Sequence, residues 1–159
     1  APITFYGRMD ASTGALEVGQ FLVTRLSDGK GNAARPRAIA ADVAGNVFVA
    51  GGTACCIENG VAKTVNGEPA MSEQYQGGGF VLVVAADFSQ RLSWTTFRGI
   101  TGNGETGVSL AVGLDVAVAF HQQLEDAMTT EQPLLTFDAI QPAAGGGASD
   151  GWLAVWPRP

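Results

Sequence analysis

Nowhere does this chain contain the roughly twenty consecutive apolar residues that crossing a bilayer as a helix requires. Its longest uncharged segments are broken by Gly, Asn or Thr. No membrane insertion is expected. Positive charge is scarce as well: 9 Lys and Arg stand against 15 Asp and Glu, for a net charge of −6. The clustered Lys and Arg that nucleic-acid phosphates and anionic membrane surfaces reward are missing, so neither is expected as a partner. The single histidine, His121, rules out a His-rich metal cage. The only two cysteines, adjacent at Cys55 and Cys56, make a poor zinc site by themselves. No cofactor or metal is expected.

What the chain does have is glycine, 22 of 159 residues, and apolar residues at 46% scattered in short runs, with only 15% charged. That composition favours many short strands joined by turns and makes the chain all-β. A chain of this length fits one domain, residues 1–159, able to bury about two-thirds of its unfolded surface. It begins "APITFYG", with no Met, basic n-region or h-region, and is read as a mature exported chain or a fragment.

Apolar residues alternate with period two in "NVFVAGG" (46–52), "GFVLVVAAD" (79–87), "LSWTTF" (92–97), "DVAVAF" (115–120) and "GWLAVW" (151–156), each flanked by Gly, Asp, Asn or Ser. These windows are strands. The unbroken apolar run from Phe80 to Ala86 predicts a strand covered on both faces, as when sheets stack. Stacking suggests a repeat, and "YQGGGFVLVVAADFSQRLSWTTF" at 75–97 has a shortened echo in "AAGGGASDGWLAVW" at 143–156. At a similar offset of about 70 residues, "AIAADVAGNVFVAGGT" (38–53) aligns with "VSLAVGLDVAVAFHQ" (108–122). "DASTGALEVGQF" (10–21) likewise resembles "DFSQRLSWTTF" (87–97). The repeating unit is four antiparallel strands, the format of a propeller blade. The expected organisation is an N-terminal strand pair (1–35), one full repeat (36–100) and a truncated second repeat (101–159). Both ends look unfinished, and a propeller needs at least about four blades to close. An incomplete propeller in a single chain is therefore expected, either as a piece of something longer or as a chain that completes its sheets with other chains.

"AIAADVAGNVFVAGGT" followed by "GGGFVLVVAADFSQRLSWTTF" resembles the bacterial β-propeller repeat family often called SBBP. Repeats of that family have a strand, Asp, a Gly-Asn turn, a strand ending in Gly-Thr, a loop, a Gly-rich turn and a strand pair. The second copy keeps "TFDAIQP" and "GGG" but replaces Asp-x-x-Gly-Asn with "VGLD". The resemblance implies antiparallel four-stranded blade-like sheets and an extracellular, cell-surface or periplasmic setting. It says little about ligand, because propellers host many functions.

The residues of "DVAGN" explain themselves without the family. Gly45 and Asn46 take positive φ at low cost, as a tight hairpin requires, and the Asp42 carboxylate can accept hydrogen bonds from turn amides. The rival, Asp42 and Asn46 as Ca²⁺ ligands, lacks the dense alternating oxygens such loops need. "GNGETG" at 102–107 matches G-x-G-x-x-G in form, but the following "VSLAVG" reads as a strand, so no helix N-terminus faces a phosphate. Ser109, in "GVSLA", sits inside a strand rather than on a nucleophile elbow. A carboxylate pair drawn from Asp87, Glu105, Asp115, Glu125, Asp126 and Asp138 is all that a glycosidase would need.

Cys55 and Cys56 leave three states open: two free thiols, a strained vicinal disulfide, or a link to another chain. Two long polar insertions, "IENGVAKTVNGEPAMSEQY" and "HQQLEDAMTTEQPLLTFDAIQP", are the expected partner or glycan loops, with Glu58, Asn59, Tyr75, His121, Glu125 and Asp126 as candidates. His121 is expected just after its strand. Trp94, Trp152 and Trp156 could stack sugars, but their strand positions favour core packing. The chain is expected to be a non-enzymatic structural or interaction module that assembles with other protein chains, as a homo-oligomer or in a larger complex. A lectin-like module that oligomerises is the alternative, and a carboxylate-dependent glycosidase a distant third.

Overall fold

The computed structural model describes residues 4–25, 28–53, 64–65, 68–69, 78–97, 106–123, 140 and 149–158. These residues are all-β, in antiparallel sheets, none of which closes on itself. β1 (Thr4–Met9) and β2 (Leu16–Leu22) form a hairpin, and β3 (Thr24–Arg25) pairs with β4 (Gly31–Asn32). β5 (Ala34–Ala41) and β6 (Val47–Thr53) make a second hairpin. β7 (Thr64–Val65) pairs with β8 (Glu68–Pro69), and β9 (Gly78–Val84) with β10 (Arg91–Phe97). The four long strands of the middle of the chain form one sheet in the order β10-β9-β6-β5, an up-and-down meander in chain order. β11 (Thr106–Val112), β12 (Asp115–Gln123) and β13 (Ser149–Pro157) form a three-stranded sheet in the same consecutive manner.

The three larger sheets are stacked, and β9 explains why. Phe80, Val81, Leu82, Val83 and Val84 are all buried, and alternate residues point to opposite faces. Val81 and Val83 join Phe48 and Ala50 against Val116, Val118, Phe120 and Ala154 of the three-stranded sheet. Phe80, Leu82 and Val84 join Val49 and Trp94 against Tyr6 and Leu22 of the first hairpin. Each such side chain contributes roughly 1.5–3 kcal/mol of burial, which a sheet open on one side collects from only half its residues. The coverage on both faces that the Phe80–Ala86 run predicts is present from Phe80 to Val84, while Ala85 and Ala86 leave the strand for the turn and are half-buried.

Local sequence makes these contacts close. A Cβ on Gly79 would overlap the Phe120 ring, so only glycine lets that aromatic lie on the β9 backbone. Leu92 is the extra residue of a bulge between Arg91 and Ser93. The bulge turns Leu92 toward the three-stranded sheet while Trp94, two positions on, packs on the opposite face. Trp94 is fully buried, edge-on to Phe80, with the Arg91 guanidinium 4.7 Å above its ring.

Two expectations need correction. Gly45 alone takes positive φ in its hairpin, at 86°, and Asn46 does not. His121 does not follow its strand: β12 runs on to Gln123, and His121 pairs in register with Thr106 and Gly151. The ladder with β13 carries β12 past the point where apolar alternation stops. The strand β5 starts at Ala34 and includes Pro36, which an edge strand tolerates.

Candidate functional site

Four hairpin turns gather at one rim of the stack. In the β5–β6 turn the Gly45 amide donates to the Asp42 carbonyl, and the Asp42 amide to the Asn46 carbonyl. The Asp42 carboxylate accepts from the Ala44 and Asn46 amides at 2.9 Å and from the Asn46 side chain at 3.0 Å. The Asn46 side-chain oxygen then accepts from the Ala86 amide, tying this turn to the β9–β10 turn. Arg158, just after β13, donates to the Leu114 carbonyl in the β11–β12 turn and lies 3.6 Å from Asp42. Burial of the Asp42 side chain, 5% exposed, works to raise its pKa. The bonds from Asn46 and Ala44, with the Arg158 charge, outweigh that and hold the carboxyl below its ordinary range.

The first hairpin joins the same rim. Asp10 accepts from the Ser12 hydroxyl and amide and from the Thr13 amide and hydroxyl, which together lower its pKa to about 2. Arg8 pairs with Glu17 at 2.6 Å and donates to the Ala86 carbonyl. Gln20 bridges the Tyr6 hydroxyl to the Phe88 carbonyl. Phe88 has φ 61° and is buried against Tyr6, with ring centroids 5.8 Å apart. Between these turns lies a groove of about 250 Å³ lined by Tyr6, Arg8, Ile39, Val47, Ala86 and Phe88. Its lining is apolar apart from Arg8, whose guanidinium is already engaged by Glu17 and Ala86, and Tyr6, whose hydroxyl is engaged by Gln20, so the groove offers a ligand shape but little polar chemistry.

The surfaces left uncovered are more telling. On the outer face of the first hairpin Phe5 stands opposite Phe21 and Met9 opposite Leu16, and all four are exposed. On the outer face of the three-stranded sheet Leu153 and Val155 are exposed beside Ala119 and Ala117. Among the described residues nothing covers either face, and no strand pairs with β13 on the side away from β12. Alternation alone does not reveal this, since a strand with one face on the core and one on a neighbour reads like any doubly covered strand.

Of the expected site residues, Asp42, Gly45 and Asn46 converge in the turn just described. His121 is on β12; Glu58, Asn59 and Tyr75 lie outside the described residues, as do Cys55, Cys56, Glu125 and Asp126. Glu105 and Asp138 lie outside them too, while Asp87 is in the β9–β10 turn, bound by Ser89, and Asp115 opens β12. Trp94 is buried in the core, and Trp152, half-buried, packs on Phe120 with ring centroids 5.3 Å apart. The residues after "GNGE" form the strand β11. Among the described residues no group of three or more His, Cys, Asp or Glu side chains is placed to hold a metal ion, and no helix is long and apolar enough to cross a membrane. Among the residues missed by sequence reasoning are Arg158, Arg8 and Gln20, which bond from one sheet to another; no local pattern marks a lone arginine or glutamine for that role. The chain matches no family model, no curated protein and no solved structure.

Proposed function

We propose that this chain is a non-enzymatic structural and interaction module of β-propeller-repeat type that completes its sheets with other protein chains, in a cell-surface or periplasmic assembly. The observation that carries this reading is the pair of uncovered apolar faces, Phe5, Phe21, Met9 and Leu16 at one end of the stack and Leu153 and Val155 at the other. Exposed apolar patches on a small acidic chain mark surfaces that meet other protein. The four-stranded meander, stacked face to face on its neighbours, fits the blade format that the SBBP-like repeat implies.

Light scattering on the purified chain tests the proposal. The expected result is a native mass above that of one chain, rising with concentration. A monomer at every concentration, or hydrolysis of a glycan or ester that is lost when a carboxylate is substituted, overturns it.

A further inference from the structure

Among the described residues, β13 alone of the long strands that end a sheet sits in an uninterrupted ladder, paired with β12 over its full 9 residues. Every other such ladder carries a bulge. The extra residues are Glu17 on β2, Arg37 on β5, Leu92 on β10 and Val108 on β11. β5 adds Pro36 between Arg35 and Arg37. Bulges, proline and charge twist or block the row of N–H and C=O groups that recruits a foreign strand. The other uninterrupted long ladder is β6–β9, in the middle of the central sheet. β13 has its own Asp150 and Pro157 near its two ends, and the stretch between them, Gly151 to Trp156, has the build of an interior strand at an edge position. The three-stranded sheet also comes nearest the central sheet along β11, beside β5 and β6, which leaves β13 on the open side.

Resting on the reading that the sheets are completed between chains, we propose that the completing chain is a second copy, whose β13 pairs antiparallel with β13 about a two-fold axis at Leu153. The strand is self-complementary in that register. Leu153 meets Leu153 of the second copy, Trp152 meets Ala154, and Gly151 meets Val155, so each bulky side chain beside the axis faces a small one. Trp152 and Ala154 lie on the core side of the sheet, while Leu153 and Val155, 68% and 55% exposed, gain neighbours on the outer side. Position 150 falls opposite position 156, which sets the two copies of position 150 about 20 Å apart along the paired strands. The contact is isologous and closes at two copies.

Thiol crosslinking tests the register, in a Cys55→Ser/Cys56→Ser background, and light scattering of Leu153→Lys in the otherwise unaltered chain tests the contact. Expected are a disulfide-linked dimer from Leu153→Cys under mild oxidation and none from Val155→Cys alone. A link should form when Val155→Cys chains are mixed with Gly151→Cys chains. Leu153→Lys should weaken dimerisation at least about tenfold, because it sets two ammonium groups face to face on the axis. If the unaltered chain is oligomeric but Leu153→Cys does not link and Leu153→Lys keeps the native mass, this pairing is overturned and assembly through other surfaces stands. A Leu153→Cys chain that links to a Phe5→Cys chain in preference to itself also overturns the two-fold, in favour of head-to-tail contact. If the unaltered chain is a monomer throughout, both the pairing and the assembly reading fall.

Discussion

Phe88 occupies a backbone conformation that side-chain sterics disfavour by about 1–2 kcal/mol, and it does so because its ring is buried with Tyr6 and its carbonyl is held by Gln20. Replacing it separates the two effects. Phe88→Ala and Phe88→Gly both lose the ring, but glycine is free to take φ 61°. The glycine variant should therefore be the more stable of the two by about 1 kcal/mol, the reverse of the usual order within a strand, as read from urea midpoints. Gly79→Ala makes the opposite test, since the added methyl overlaps Phe120, and a loss of about 1–3 kcal/mol is expected. Phe120→Leu in the same chain should recover part of it.

The carboxylates add a pH dependence whose direction follows from their bonds. Asp10, Asp28, Asp42 and Asp87 all have folded pKa values below the ordinary one, so folding favours their charged forms. Their contribution is complete above about pH 4 and is lost as pH falls through the folded values. For Asp10, held to about 2 chiefly by the Ser12 hydroxyl, the loss spans pH 4 to 2. Asp10→Asn should flatten the fall in stability across that window in urea titrations. The Asp42 turn was legible because Asp and Gly at those positions carry their own mechanism. The Phe88 conformation was not, because nothing local asks a phenylalanine for positive φ; burial imposes it.

At the scale of strands, the hairpins and the doubly covered β9 could be read from the sequence, since period-two alternation and an unbroken apolar run report how many faces are buried. The bulges could not. No residue type marks Arg37, Leu92 or Val108 as the extra one, and only the pairing partner shows it. β5 hid its start behind Arg35-Pro36-Arg37, a sequence suited to an edge and to nothing interior. The order of protection should follow from this arrangement. β6 and β9 are paired on both sides and covered on both faces, so their amides should exchange most slowly. The amides of β1 and β2, paired only with each other, should exchange faster by hydrogen-exchange mass spectrometry. Asn46→Ala, which cuts the link from Asp42 to Ala86, should speed exchange in both turns it joins while leaving β12 unchanged.

For the whole molecule, the sequence already pointed to stacked sheets, because the apolar run that begins at Phe80 asks for cover on both faces. It could not say which faces stay open, for that depends on which sheet lies at each end of the stack. The first hairpin lies at one end, and its outer face is apolar although no described residue packs on it. Phe21 makes the test. Its side chain is 67% exposed, so Phe21→Ser should change stability by no more than about 0.5 kcal/mol. Leu82→Ala, at 0% exposure, should cost about 2–5 kcal/mol by the same measurement. If β13 joins two copies and the hairpin face joins such pairs further, Phe21→Ser keeps the mass of two chains but loses the growth beyond it that appears with concentration. That growth should be strongest near pH 4.6, where the net charge of −6 at neutral pH has been titrated away and repulsion between copies is least. Light scattering across pH and concentration reads both effects. Unchanged growth in Phe21→Ser would remove the first hairpin from the assembly and leave its apolar face without a role between copies.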